Sequence, residues 1–147
     1  MMKKFTLLII FFISISSLKL YCQDKSTQDI IQEGVELHDA GEYTKAIEKY
    51  NEALNIDSTL INAVYEMSLS YLALMDFENA SKYSSQVISS DNKVLSSGAY
   101  AVKSEALAEM DSVDNAIELL FEGLEKNGEE YLLYFNLATN FFKKGDT

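Results

Sequence analysis

The feature that most constrains this chain is a repeat. Three segments align on an alanine: residues 41–47 (GEYTKAI), 75–81 (MDFENAS) and 111–117 (DSVDNAI). Their alanines, Ala46, Ala80 and Ala116, stand 34 and 36 residues apart, and Tyr43, Phe77 and Val113 precede them by three. A fourth copy starts at Tyr131, and its Gly145-Asp146 matches Gly41-Glu42. A period of this length marks a supersecondary unit that buries its apolar face only by stacking on its neighbours. Within the first unit Ile30, Ile31, Gly34, Val35 and Leu37 recur at helical spacing rather than in strand alternation. Gly41 falls where a helix end takes a left-handed residue. Asp76 and Ser112 fall where second helices take N-caps, and Asp57-Ser58 and Gly128 mark helix ends. The spacing predicts seven helices, over 28–40, 43–56, 61–74, 77–90, 97–109, 113–126 and 130–144. The connection 89–97 carries two extra residues.

Small residues recur at the eighth, twentieth and twenty-seventh positions of each unit, with large ones between. The first unit, counted from Thr27, has Gly34, Ala46 and Ala53 there; the second has Ser68, Ala80 and Val87; the third, counted from Ser97, has Ser104, Ala116 and Gly123. In this the chain resembles the tetratricopeptide repeat family over about residues 27–147. The resemblance implies an all-α, right-handed α-solenoid of antiparallel helix pairs, with repeats over 27–60, 61–94 and 97–130 and a partial repeat over 131–147. The usual proline near the end of each unit is replaced by Ser58, Asn92 and Gly128, and the chain has no proline.

The resemblance also implies a concave groove lined by the first helix of each unit. Its candidate residues are Ile31, Val35 and His38 in the first unit, Tyr65, Leu69 and Leu72 in the second, Glu105 and Glu109 in the third, and Phe135 and Phe142 in the fourth. The family's peptide-carboxylate clamp needs polar and basic groups where Ile31, Val35 and Leu69 stand, so that mode is rejected. Ile31, Val35 and Leu69 carry a second reading as core residues. An apolar groove with an acidic rim suits an apolar or basic amphipathic segment of another protein. The fourth copy lacks its second helix and leaves aromatic surface without cover. This reads as the beginning of a longer protein with an effector beyond residue 147, or as an end that docks a partner or a second copy.

Residues 1–22 contain no acidic residue, and Lys3 and Lys4 precede an apolar stretch over 5–15. That stretch has the length of a signal-peptide core and is short of the roughly 20 residues that span a bilayer. The expectation is a bacterial signal peptide over 1–22, a domain over 23–147, no membrane span in the mature chain, and a periplasmic or secreted product. Lipid attachment at Cys22 is a minor alternative, because Lys19 and Tyr21 fit a lipoprotein site poorly.

Composition excludes several functions. The chain has 12 Lys, no Arg and 23 acidic residues, for a net charge of −11. Loss of residues 1–22 removes three of those lysines and no acid, which takes the charge to −14. Nucleic-acid binding needs a basic patch that such a chain does not offer. One Cys and one His build neither a disulfide scaffold nor a structural zinc site. No phosphate loop or nucleophile motif is present, so neither a cofactor nor an enzymatic activity is expected. His38, with no nucleophile or second His at catalytic spacing, reads as an ordinary groove or surface residue.

Overall fold

The structure, a computed structural model, describes residues 26–145. The expected signal peptide, its cleavage site and Cys22 lie outside the described residues. Seven helices follow in order: α1 (Thr27–Asp39), α2 (Tyr43–Ile56), α3 (Ile61–Ala73), α4 (Phe77–Ser89), α5 (Lys93–Glu109), α6 (Val113–Asn127) and α7 (Tyr131–Lys144). Among the described residues there is no strand.

Local chemistry sets the helix ends. Ser26 and Asp29 form a reciprocal capping box at α1, with the Asp29 amide donating to Ser26 Oγ at 3.2 Å. Asp76 caps α4 by accepting from the Asn79 amide at 3.2 Å. Ser112 occupies the cap position of α6, but its side chain makes no capping bond there, which corrects the sequence expectation in part. The three turns inside the repeats share one geometry. Gly41, Met75 and Asp111 all have left-handed φ, at 78°, 60° and 59°. Only the first is glycine, so the other two turns hold a strained backbone.

The larger departure is α5. It begins at Lys93, one turn before the expected 97, because Asn92 Oδ1 accepts from the Val94 and Leu95 amides at 3.1 Å each. The two extra residues of the third period are thereby absorbed into a 17-residue helix rather than a longer loop.

The stack is quasi-one-dimensional. Each helix packs on its sequence neighbours, and the first helices of successive units also meet: α1 on α3, α3 on α5 and α5 on α7. The backbones of the second helices α2, α4 and α6 do not approach one another as closely. First helices that meet beside second helices that splay apart curve the stack, with the first helices on the inner face. The core is continuous through the repeats. One cluster joins Ile30, Ile31, Ile47 and Tyr50 to Met67 of α3, and another joins Tyr100, Ile117 and Leu120 to Leu133 and Leu137 of α7.

Close approach depends on missing side-chain volume. Ala46, Ala80 and Ala116 are fully buried. The Tyr50 ring lies directly on Gly34, so that a Cβ there would collide with it, and a Cβ at Gly123 would lie 2.9 Å from Tyr100 Cγ. The buried serines of these seams satisfy their hydroxyls within their own helices: Ser68 and Ser104, at the small-residue place, and Ser84, which stands where the other units have Tyr50 and Leu120, donate to the carbonyls of Tyr65, Ala101 and Ala80 at 2.6, 2.8 and 2.6 Å.

Two substitutions test this account by chemical denaturation. Gly34→Ala is expected to destabilise the fold by about 1–3 kcal/mol, the usual cost of overpacking a filled core. Met75→Gly is expected to stabilise it by a few tenths to about 1 kcal/mol, since relief of the left-handed strain outweighs the backbone entropy of glycine. Met75 is 76% exposed and has little packing to lose.

Candidate partner-binding groove

The ten residues expected to line the groove divide by depth. Ile31 is 3% exposed and belongs to the first core cluster; it offers no surface to a partner, which corrects the expectation. Val35 is half-buried against the same cluster. Leu69 and Leu72 are half-buried around Ala80, Val102 and Ala106. The half-buried Tyr65 places its hydroxyl over Gly98 of α5. The cause is the contact between first helices: groove positions of α1 and α3 are drawn into the joint with the next unit.

His38 also serves that joint. Its Nδ1 lies 2.8 Å from Ser70 Oγ of α3, and its ring packs edge-on against Tyr43 at a centroid distance of 5.1 Å. One side chain thus ties α1 to α3 and to α2. The hydroxyl of Tyr50 is buried beside this pair without a hydrogen bond of normal geometry. Burial pushes it well above its ordinary value, and the Glu66 carboxylate adds to the effect. Glu66 itself is raised, first by burial and then by the nearby Asp39 carboxylate. Neither Ser70, Glu66 nor Asn140 figures in the sequence expectation. The only available signal for Asn140 was a lone amide within the apolar run 137–142.

The open part of the groove lies toward α7. Glu105 and Glu109 of α5 are exposed, as are Phe135 at 59% and Phe142 at 75%. Glu105, Glu109 and Phe135 border one cavity, with Asn140 and Lys143 of α7. Lys143 is ion-paired with Glu109 across the two helices. On the outer side, Lys126 donates to Glu122 Oε1 at 2.7 Å and Tyr100 donates to the same oxygen at 2.9 Å. These bonds, the one from Lys126 foremost, hold the Glu122 carboxyl below its ordinary value. Among the described residues no group of three or more His, Cys, Asp or Glu could hold a metal ion, and no helix is long and apolar enough to cross a membrane.

An inner face of first helices, an outer face of second helices and a repeating small-residue seam define an α-solenoid of helix pairs. The sequence of residues 34–74 matches a family model described as a TPR repeat. Three solved structures show the same fold over most of the chain. The MamA protein of Desulfovibrio magneticus RS-1, from residue 41 to its end, is 18% identical with a TM-score of 0.73, covering 84% of this chain and 69% of that one. The TPR domain of Sgt2 from Aspergillus fumigatus is 24% identical with a TM-score of 0.72, covering 82% and 80%. The second TPR domain of human RPAP3, in complex with an HSP70 peptide, is 22% identical with a TM-score of 0.67, covering 78% and 92%. No curated protein sequence matches the chain. Residues 34–74 thus match the TPR-repeat model, and the chain has the fold of TPR domains over most of its length.

The raised Glu66 gives a pH prediction. A carboxyl whose folded value lies above its ordinary one binds its proton more tightly when folded, so its contribution is largest at low pH and is lost as pH rises through the folded value. Glu66→Gln should therefore raise the thermal midpoint at neutral pH. Its advantage over the parent should shrink as pH falls through the raised folded value and be gone below the ordinary carboxyl value of 4.5. Melting curves across that range check both parts.

Proposed function

We propose that the chain is an exported, non-enzymatic scaffold that holds a segment of a partner protein on its inner face. The observation that carries the reading is the exposed aromatic surface of α7 beside the cavity against α5. Phe135 and Phe142 leave apolar area in water, next to a recess with polar walls, and such a surface is the usual ground for a protein contact. The likeness to the RPAP3 domain, which holds an HSP70 peptide, supports a peptide as the kind of occupant. It does not supply the occupant's sequence, since the two chains are only 22% identical.

Export rests on residues 1–22, with two early lysines, an apolar stretch and no acid. Residues 1–25 fused to a phosphatase active only outside the cytoplasm should give activity, and Lys3→Glu/Lys4→Glu should reduce it. A fusion that stays inactive removes the exported half of the proposal.

The scaffold half is tested by selecting short random peptides on the 147-residue chain and rebinding them to Phe135→Ser. Phe135 is mostly in solvent, so the variant keeps the fold. Loss of a buried aromatic anchor should weaken the selected peptides by about tenfold or more. A selection without binders, or binders indifferent to Phe135→Ser, would count against the groove.

A further inference from the structure

The cavity between α5 and α7 has a volume of about 270 Å³. This lies just below the range of about 300–1,000 Å³ in which drug-sized ligands sit. It is the right scale for one long side chain and the backbone beside it. Its polar groups are unequally engaged. Lys143 is paired with Glu109, the Thr139 hydroxyl donates to the Phe135 carbonyl at 3.0 Å, and the Asn136 amide donates to the Leu132 carbonyl at 2.9 Å.

Two groups are left over. Asn140 is 3% exposed, lines the cavity, and has no side-chain hydrogen bond among the described residues. A buried amide is normally bonded, and one that faces a recess unbonded is set to meet a ligand that both donates and accepts. A peptide bond does both. Glu105, at the rim, makes no ion pair among the described residues. The Phe135 ring stands in the same wall, and an aromatic face attracts a cation.

We propose that this cavity takes a lysine or arginine side chain of a partner polypeptide, with its cation at Glu105 and the Phe135 face and an adjoining peptide bond hydrogen-bonded to the Asn140 amide. The assignment rests on the groove reading above and specifies what the groove selects. An acidic side chain fits poorly. It would meet Glu105 directly, and its one cationic partner, Lys143, is already held by Glu109. The chain's net charge of −11 favours the same sign of partner at longer range.

The probes are two pools of short synthetic peptides with shared apolar positions, one bearing Lys and Arg and the other Asp and Glu, read by fluorescence anisotropy against the 147-residue chain. The basic pool should bind more tightly. Glu105→Gln should weaken it about tenfold, while Glu118→Gln, the same charge change on the exposed side of α6, should alter it less than about twofold. Asn140→Leu should also weaken it, with a salt dependence like the parent's, and its melting curve shows that the fold is kept. Equal binding of the acidic pool, equal effects of the Glu105 and Glu118 variants, or parent-like binding by a folded Asn140→Leu would each overturn the assignment. Peptides that depend on Phe135 but carry no basic residue would overturn it while leaving the groove standing. Absence of any peptide binding would remove both.

Discussion

Everything in this protein depends on how closely one helix pair can approach the next. A single pair has an apolar face and nothing of its own to cover it, so stability is shared between neighbours. The approach is permitted by absent side-chain volume. Ala46, Ala80 and Ala116 are fully buried at equivalent places. Three glycines are covered by tyrosines, Gly34 by Tyr50, Gly98 by Tyr65 and Gly123 by Tyr100. In each case a large flat ring fills the space that a missing Cβ leaves. The Gly98–Tyr65 contact joins α5 to α3 and so carries the joint from the second unit to the third.

The groove follows from the same packing. First helices approach each other more closely than second helices do, so the inner face is a row of first helices with little space between them in the first two units. Side chains that would face a ligand there are used to hold the row together: Ile31 is in the core, and His38 bridges to Ser70. Toward α7 the inner face differs: α7 packs on α5 and α6, Phe135 and Phe142 stand mostly in solvent, and a cavity lies against α5. Structure and binding compete for the same positions, and the balance shifts along the stack.

Much of the fold was legible in the sequence because the repeat fixes spacing, and spacing fixes which residues share a helix face. Six of the seven helices fall within about a residue of their expected bounds. The small residues at Ala46, Ala53, Ala80 and Ala116 are buried as expected. The exception, α5, shows the limit of periodicity. Asn92 stands where the family's proline would end a unit, and its side chain instead caps a helix that starts a turn early. Ser112 shows the converse: a good capping residue at the right place whose hydroxyl makes no capping bond. Both outcomes turn on a side-chain rotamer and the local backbone, which the pattern of apolar residues does not encode.

The sequence by itself determined the repeat, the helix pairs, the small-residue seam and the acidic charge, since each is a matter of residue identity at a fixed interval. Only the tertiary structure decided which inner-face residues a partner could touch. Ile31 and Phe135 occupy the same position in their units, yet one is sealed in the core and the other is mostly in solvent. The difference lies in what is stacked beside each helix. Asn140 gains its meaning in the same way: an amide within an apolar run becomes a candidate ligand contact because α5 and α7 enclose a cavity against it. Burial is a property of the assembled neighbours, and the neighbours of a repeat are fixed only when the stack forms.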